Sequence, residues 1–302
     1  MTTKTPAGAV GLLNGSPLAD GGVSVYDRGF LYGDGVFEVL RTYRSQPWRL
    51  EEHLGRLALG ARRVGITVPI SNARWIAEVH AVLGSRPAET DSVLRLALTR
   101  GVASPGIDPS LASVPTRLTL ATPLPLLLPR VYQRGLRLAL TTIDRATPRA
   151  GMLSLAGVKS ANYALHILAL RDAQGRGFDD ALLLSSDGAL LESTTANVFL
   201  VSAGHLRTPA IECGPLEGIT RAEVLSIARD LGIPTTATER LGASDVWTAD
   251  EVFLTSSVRE LVPVVQVDDH EVGSATPGPL TRRLHAAFRA RTPLAGTALP
   301  WE

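Results

Sequence analysis

Two lysines and 28 arginines supply the positive charge of this 302-residue chain. Lys4 lies in a predicted flexible N-terminal tail, whereas Lys159 lies in AGVKSANYALHILAL, beside an apolar helical pattern. A primary amine forms a Schiff base with an aldehyde, and the delocalised guanidinium of arginine does not. The count therefore indicates Lys159 as a candidate for covalent amine chemistry. The alternative is that Lys159 has no special role and is a lysine present by chance in an arginine-rich chain.

Three stretches have the residue types of a phosphate site. Gly218-Ile219-Thr220 opens a predicted helix, where N–H groups and the helix dipole favour an anion. Thr255-Ser256-Ser257 ends a predicted strand and offers hydroxyls, and Arg56 on an early helix offers a bidentate cation. Each has an ordinary alternative: a threonine N-cap for the helix start, and a solvated surface charge for Arg56.

Glu192 is a candidate acid in GALLESTTANVFLV, between two predicted strands. A carboxylate stabilises a protonated ring nitrogen, although an exposed turn glutamate is the ordinary interpretation. An amine, an acid, a phosphate cradle and a base that moves a proton are what pyridoxal phosphate requires of a protein. These residues together point to that cofactor.

Composition excludes several classes of function. The net charge of +1 gives no field that favours nucleic acid or an anionic membrane. Cys213 is the single cysteine and the six histidines lack metal-ligand spacing, so no metal site is predicted. We find neither a signal peptide nor a membrane-length apolar run, and we expect a cytoplasmic protein without membrane or nucleic-acid partners.

The order of elements predicts an α+β fold, because strands and helices are interspersed in both halves without a regular βαβ repeat. The dense prolines of TPLPLLLPR oppose helix and central strand. We therefore expect a small domain over 1–120, a linker over 121–135, a large domain over 136–292 and a tail over 293–302. Predicted strands include 9–13, 23–26, 36–43, 92–100, 117–121, 136–142, 181–185, 198–202 and 251–255. Predicted helices cover 50–64, 71–83, 160–173, 220–231 and 281–290, and 27–35 is predicted to be a loop.

Seven stretches, spread over almost the whole chain, resemble the class IV aminotransferases. That family includes branched-chain and D-amino-acid aminotransferases, (R)-amine transaminases and aminodeoxychorismate lyase. The matching stretches are DRGFLYGDGVFEVLRTY (27–43), EEHLGRL (51–57), TRG (99–101), GVKSANY (157–163), LESTTANVFLV (191–201), GPLEGITR (214–221) and DEVFLTSSVRELVPV (250–264).

The resemblance implies a fold type IV pyridoxal-phosphate enzyme, with a small N-terminal α/β domain and a larger C-terminal pseudo-barrel domain. It implies a homodimer with an active site between the domains. Lys159 matches the aldimine lysine and Glu192 the ring-nitrogen partner. The residues that match cofactor binders are Arg56, Tyr163, Ile219, Thr220, Ser256 and Ser257. Those that match the substrate pocket are Tyr32, Phe37, Val39 and Arg95.

The reaction that the resemblance implies is transamination between an amino acid or amine and a 2-keto acid. GDGVFEVLRTY is most similar to D-amino-acid aminotransferases, but TRGVASPGIDPS lacks their Arg-x-His carboxylate trap. Arg28, Arg95 or Arg100 would have to replace it, unless the donor is an (R)-amine. Val39 stands where branched-chain enzymes usually have glycine, so a D-amino acid or (R)-amine is favoured over a branched-chain L-amino acid.

Two alternatives remain open. Aminodeoxychorismate lyases share YGDGVFE-like and TSSVRE-like stretches, and would use Lys159 to release pyruvate and 4-aminobenzoate. A cofactor-binding protein without turnover belongs to a different class of function.

Overall fold

The computed structural model describes residues 6–18, 22–88, 90–125, 129–150 and 152–301. Lys4 and the middle of the predicted linker, 126–128, lie outside these ranges. The chain divides into two compact units. Unit 1 comprises Met1–Pro125 and Val158–Asn162, and unit 2 comprises Leu126–Gly157 and Tyr163–Glu302.

Unit 1 is built on six strands: β1 (Val10–Leu13), β2 (Ser16–Pro17), β3 (Gly35–Tyr43), β4 (Gln46–Pro47), β5 (Ser92–Thr99) and β6 (Thr116–Pro123). They form an antiparallel sheet in the order β2-β1-β6-β5-β3-β4. Its helices are α1 (Arg28–Tyr32), α2 (Leu50–Arg63) and α3 (Asn72–Gly84), with a 3₁₀ turn at Pro109–Leu111.

The two faces of this sheet differ in burial. Along β5, every second residue is fully buried, including Leu94, Leu96 and Leu98, while the residues between them are half-buried. This is the period of a strand with one core face. The buried face packs with apolar residues of α2 and α3, such as Leu54 and Trp75. The half-buried face carries the candidate pocket residues.

Unit 2 contains a closed ring of strands. Its elements are α4 (Pro129–Arg134), β7 (Leu136–Thr142), α5 (Ala164–Gly175), β8 (Asp180–Leu184), β9 (Leu190–Ser193), β10 (Asn197–Ser202), β11 (His205–Arg207), α6 (Ile219–Asp230), β12 (Thr235–Thr236), α7 (Ala243–Trp247), β13 (Glu251–Ser256), β14 (Glu260–Val267), β15 (His270–Glu271) and α8 (Pro279–Ala290), with a 3₁₀ turn at Ile211–Cys213. The strand order is β12-β11-β10-β13-β14-β7-β8-β9, and β9 pairs back with β10 through Glu192 and Asn197. That pairing makes the sheet the pseudo-barrel that the resemblance implies.

The helix predicted from Ser160 is wrong in its start, because α5 begins at Ala164. Residues before it extend along β3 of unit 1. Phe37 donates its backbone N–H to the carbonyl of Lys159 at 3.0 Å, and Ala161 donates to Gly35 at 2.9 Å. These bonds to a distant strand override the local helical pattern.

Two other predictions were wrong, and one strand was not predicted. Val23–Tyr26 is not a strand, and its apolar side chains are exposed. The predicted loop 27–35 contains α1, which Asp27 caps by accepting the Gly29 N–H. Strand β14 was not predicted, and it contains Pro263, a residue type that opposes a central strand. The structure accommodates Pro263 because pairing with β7 begins at Val264.

Within the described ranges, none of the helices combines the length and the apolar character needed to cross a lipid bilayer.

Candidate active site

Lys159 is positioned by the backbone bonds that attach its segment to β3. Its Nζ lies 4.8 Å from the centroid of the Phe37 ring. Phe37 is itself buried on β3, so the ring is a fixed surface beside the amine. Val158 packs with the core of unit 1 and anchors the same segment from the other side.

Three of the predicted pocket residues share the half-buried face of the unit 1 sheet. Val39 on β3 is directly opposite Arg95 on β5, and Phe37 follows on the same face. The Arg95 guanidinium carbon lies 3.9 Å from the Phe37 ring centroid. The structure thus brings Lys159, Phe37, Val39 and Arg95 together.

Tyr32 lies apart from that strand face, at the end of α1. Its hydroxyl accepts the backbone N–H of Gly106 at 2.8 Å, and the Arg28 guanidinium lies over its ring. This tyrosine therefore ties α1 to the loop that follows β5. Its role as a pocket residue stays a prediction.

Arg28 and Arg100, the other proposed carboxylate ligands, both hold Asp34. The Nε atoms of Arg28 and Arg100 donate to Asp34 at 2.9 and 2.7 Å. Burial alone would raise the pKa of Asp34, but the hydrogen bonds from Arg100 and Arg28 outweigh it and lower the pKa. Their remaining nitrogens donate to backbone carbonyls: Gly106, Ile107 and Asp108 for Arg28, and Val64 and Gly65 for Arg100.

Arg56 forms a bidentate pair with Glu38, a buried residue of β3. Its Nε donates to Glu38 Oε1 at 2.7 Å and its Nη2 donates to Oε2 at 2.6 Å. His53 Nδ1 lies 2.7 Å from the same Oε2. Burial raises the pKa of Glu38, yet Arg56 and His53 together bring it down to about 2. Burial lowers the pKa of His53, so we assign a neutral ring that donates to an ionised Glu38.

Glu192 lies in unit 2 at the pairing that closes the strand ring. Its Oε2 accepts the backbone N–H of Leu216 at 3.2 Å and the amide of Asn197 at 3.5 Å. The Asn197 amide also donates to the carbonyl of Leu216 at 2.7 Å. Arg145 lies 3.9 Å from Oε1. Glu192 is buried, and these three partners fix the direction of its carboxylate.

The start of α6 adjoins Glu192 through the loop containing Leu216. Gly218 is the N-cap and has no side chain to accept the first N–H groups of the helix. A Cβ on Gly218 would lie 1.9 Å from Asn197 Oδ1, so only glycine lets this loop approach the strand so closely. Ile219 and Thr220 are the first helical residues, and Thr220 is buried.

The end of β13 supplies the third part of the cradle. Thr255 is directly opposite Asn197, so Glu192, Asn197 and Thr255 form a row across three strands. Thr255 Oγ1 is buried and has no hydrogen-bond partner among the described residues. Ser256 and Ser257 follow in the turn, where Ser256 Oγ accepts the backbone N–H of Arg259 at 3.3 Å.

Tyr163 is the N-cap of α5 and immediately follows the Lys159 segment. Its ring stacks on His166 with centroids 4.9 Å apart. The stacking fixes the ring plane, and a cofactor contact of its hydroxyl stays a prediction.

The donor set of unit 2 fits a cofactor with a phosphate and a basic ring nitrogen. Helix N–H groups without a side-chain cap and hydroxyls suit a phosphate dianion. A carboxylate held by two donors suits a protonated ring nitrogen. Sequence reasoning missed three residues that hold predicted site residues in place. Glu38 and His53 form the buried cluster that holds Arg56, and Asn197 donates to Glu192. All three lie inside the quoted motifs, and their long-range partners were not readable from the chain.

Residues 35–267 match the family model described as amino-transferase class IV. A putative branched-chain-amino-acid aminotransferase of Methanocaldococcus jannaschii is 38% identical, over 89% of this chain and 91% of the relative. A D-alanine aminotransferase of Bacillus licheniformis is 30% identical, over 88% and 90%. The crystal structure of 4-amino-4-deoxychorismate lyase from Pseudomonas aeruginosa has a TM-score of 0.77 and 33% identity, over 93% of this chain and 98% of that one.

Proposed function

Because the chain belongs to the class IV aminotransferases, we propose that it transfers an amino group from an amino acid or amine to a 2-keto acid, with Lys159 as its reactive amine. Enzymes of this family use pyridoxal 5′-phosphate, and that is the cofactor of this chain. When bound, the cofactor supplies an aldehyde for a primary amine and a ring that withdraws electrons.

The row of Glu192, Asn197 and Thr255 beside the α6 N-terminus is the observation that carries the proposal. A carboxylate suited to a ring nitrogen and donors suited to a phosphate thus lie on adjoining elements of one unit, which supports the proposal. A protein that bound only an anion would not need a carboxylate held at this place.

Each of the chain's own residues then has a defined task. Glu192 keeps a proton at the ring nitrogen, and the N–H groups of Ile219 and Thr220 bind phosphate oxygens. Ser256 and Ser257 would add donors to the phosphate, and the resemblance assigns Arg56 to phosphate binding as well. With the cofactor bound, the Lys159 amine would accept the proton lost from the substrate α-carbon and would later release it to complete the transfer. Tyr163 would lie close enough to the cofactor to contact its phenolic oxygen, as the resemblance implies.

For the donor, we favour a D-amino acid or an (R)-amine over a branched-chain L-amino acid. Val39 adds bulk to the face that carries Phe37 and Arg95, which restricts large L side chains. The D-alanine aminotransferase among the relatives supports this choice, and the putative branched-chain enzyme supports the opposite one. A donor panel that includes L-leucine decides between them.

The homodimer implied by the resemblance stays a prediction. Unit 1 exposes several large apolar side chains, and a second copy of the chain is the partner that we propose for them. They include Val25, Phe30, Ile107 and Val114, with exposed fractions of 63, 71, 88 and 70%.

Aminodeoxychorismate lyase is a second candidate, because the Pseudomonas aeruginosa lyase covers nearly the whole chain at 33% identity. The two reactions differ in products. A lyase forms pyruvate and 4-aminobenzoate from aminodeoxychorismate. When it is given amino acids, it does not convert the cofactor to its aminated form.

Replacing Lys159 by arginine tests the reactive amine against a matched control, Lys4→Arg, at the only other lysine. The wild-type protein and K4R should show the yellow cofactor band and lose it on borohydride treatment. The reduced cofactor should then be found as a covalent label on residue 159. K159R should show no label and lose activity by at least about a thousandfold, because arginine cannot take its place.

A label elsewhere in the wild type, or an unchanged rate in K159R, would contradict the proposal. A labelled protein that converts neither amino donors nor aminodeoxychorismate would be a cofactor-binding protein without turnover.

A further inference from the structure

We propose that Arg259 and Glu260 are positioning residues, which hold the turn between β13 and β14 in one shape and tie it to the loop that follows Glu192. The inference rests on the proposed function, in which Ser256 and Ser257 of this turn bind the cofactor phosphate. It adds two residues that act on the phosphate through the turn.

The turn requires an unusual backbone conformation at Glu260. Strands β13 and β14 pair up to Ser256 and Glu260, which leaves the three residues 257–259 to reverse the chain. Three-residue hairpin loops of this kind usually have glycine in the left-handed region, because a Cβ is crowded there. This chain has Glu260 with a φ of +58° instead. Such a conformation persists only where the surrounding structure enforces it.

Burial of the Glu260 carboxylate enforces this conformation. The side chain is fully buried and accepts from His285 at 2.6 Å and from Arg289 at 2.8 Å, both on α8. Tyr132 on α4 donates its hydroxyl to the carbonyl of Arg259 at 2.9 Å and stacks on His285. Turning Glu260 away from α8 would take the carboxylate from a buried histidine and an arginine, which is unfavourable.

Arg259 links the same turn to a second one. Its backbone N–H donates to Ser256 Oγ at 3.3 Å, across the turn. Its guanidinium reaches the loop between β9 and β10, where Nη2 donates to Thr195 Oγ1 at 3.2 Å. The same nitrogen lies 3.5 Å from the carboxylate of Asp180, which accepts the hydroxyl of Thr194 at 2.6 Å. One side chain therefore fixes the β13–β14 turn against the β9–β10 loop.

These links determine the spacing inside the proposed cofactor site. The β9–β10 loop joins Glu192 to Asn197, and the β13–β14 turn carries the two serines. Glu260 is 0% exposed, whereas residues 256–259 are half-buried. The turn is thus held from the core while its own residues stay partly accessible to a ligand. A turn that already has its binding conformation loses less entropy when it binds a phosphate.

The test uses three variants and one matched control. Arg259→Met removes the guanidinium and keeps most of the stem, and Arg259→Lys keeps a charge without the planar fork. Glu260→Gln removes the charge that α8 binds. The control is Arg207→Met on β11, which breaks ion pairs with Glu239 and Asp245 at 2.9 and 2.8 Å and none of the contacts of the turn.

Pyridoxal 5′-phosphate, pyridoxal, pyridoxine 5′-phosphate and pyridoxine are titrated into each cofactor-free protein. The pyridoxine pair has no aldehyde, so its binding does not depend on the amine of Lys159. Urea midpoints measure stability, and the phosphorus NMR signal of the bound ester measures the surroundings of the phosphate.

We expect R259M and E260Q to lower the affinity for both phosphate esters about tenfold or more, as for residues that orient metal ligands, and that for pyridoxal and pyridoxine less than about threefold. The phosphorus signal should move toward that of the free ester, and R259K should recover part of the affinity. R207M should match the wild type in all its affinities, whatever its urea midpoint. Ser257→Ala should cost less affinity in R259M than in the wild type, because the turn that presents its hydroxyl is already displaced.

Equal losses for ligands with and without phosphate would mean that Arg259 and Glu260 only stabilise the fold, and would overturn the inference. An R259M whose affinities and phosphorus signal match those of R207M would overturn it too. If R259M or E260Q does not fold, R259K and the S257A change in its background decide by the same criteria.

The failure of the proposed function gives a different result. A wild type that forms no Schiff base with pyridoxal phosphate contradicts that function, while selective binding of pyridoxine 5′-phosphate that depends on Arg259 still supports the positioning role. A wild type that binds the phosphate esters no better than pyridoxal and pyridoxine overturns the inference.

Discussion

Arg56 has a fixed direction because a buried carboxylate holds two of its nitrogens. Glu38 accepts both bonds from Arg56, and His53 satisfies the same carboxylate from one turn earlier on α2. Breaking such a buried pair by removing one partner costs about 3–5 kcal/mol. If Arg56 binds phosphate as proposed, its fixed side chain would lose less entropy on binding than a mobile one.

Glu192→Gln removes one negative charge and tests whether transamination needs the Glu192 carboxylate. Glutamine keeps the size of the side chain and an oxygen for the Leu216 N–H, but it cannot keep a proton on the cofactor's ring nitrogen. We expect transamination to fall by about a hundredfold or more, with cofactor affinity within about tenfold of wild type. Steady-state rates and cofactor titrations measure the two effects.

The matched control is Glu217→Gln, which changes an exposed carboxyl in the same loop. Equal losses in the two variants would show that charge on the loop, not the position of Glu192, governs the rate.

The loop before α6 connects Glu192 to the proposed phosphate site. Leu216 bonds to Glu192 and Asn197, and Gly218 begins the helix two residues later. The loop therefore sets the distance between the Glu192 carboxylate and the helix N–H groups. A displacement of the loop would move both groups together.

Gly218→Ala should disturb this connection, because the new Cβ would lie 1.9 Å from Asn197 Oδ1. We expect affinity for pyridoxal phosphate to fall at least about tenfold, with a smaller loss for pyridoxal, which has no phosphate to reach the helix. Equilibrium titrations with the two compounds measure the difference.

Gly55→Ala on α2 is the control, since nothing lies within 4 Å of its Cβ position. It should stabilise the protein by about 0.5–1 kcal/mol and leave cofactor affinity unchanged. If G218A binds both compounds like the wild type, the loop is more adaptable than the contact implies.

Each unit contains one buried triad of glutamate, histidine and arginine. In unit 2, Glu260 accepts from His285 at 2.6 Å and from Arg289 at 2.8 Å, and its backbone has a φ of +58°. Burial raises the pKa of Glu260, but His285 and Arg289 bring it down to about 2. Burial lowers the pKa of His285. The left-handed residue ends the turn that carries Ser256 and Ser257.

Both triads should make the molecule sensitive to acid. Below the ordinary histidine pKa of 6.5, the unfolded chain binds protons at His53 and His285 more readily than the fold does. Below pH 4.5, Glu38 and Glu260 also bind protons more readily in the unfolded chain than in the fold. This difference persists until the pH falls through their folded pKa of about 2. Stability is thus present above these values and is lost as the pH falls, by about 3 kcal/mol for each glutamate.

Urea midpoints measured from pH 8 to pH 3 check this. Glu38→Gln and Glu260→Gln should be less stable at pH 7 and show a flatter acid decline than wild type. Glu51→Gln, an exposed change on α2, should leave the curve unchanged. Parallel curves for all four proteins would contradict the assignment.

The chain by itself determined the features that depend on nearby residues. The strand β5, the helix α3 and the start of α6 after Gly218 were predicted from the sequence because propensity and burial period act over a few positions. The matching stretches named the family, and the scarcity of lysine singled out Lys159.

Only the tertiary structure decided which groups meet. It attached the Lys159 segment to β3 against a helical pattern, closed the strand ring at Glu192 and Asn197, and tied Arg28 and Arg100 to Asp34 while Arg95 packed on Phe37. These outcomes depend on partners far away in sequence. The sequence indicates that a buried arginine needs an acidic or carbonyl partner. Strand register and packing determine which partner it has.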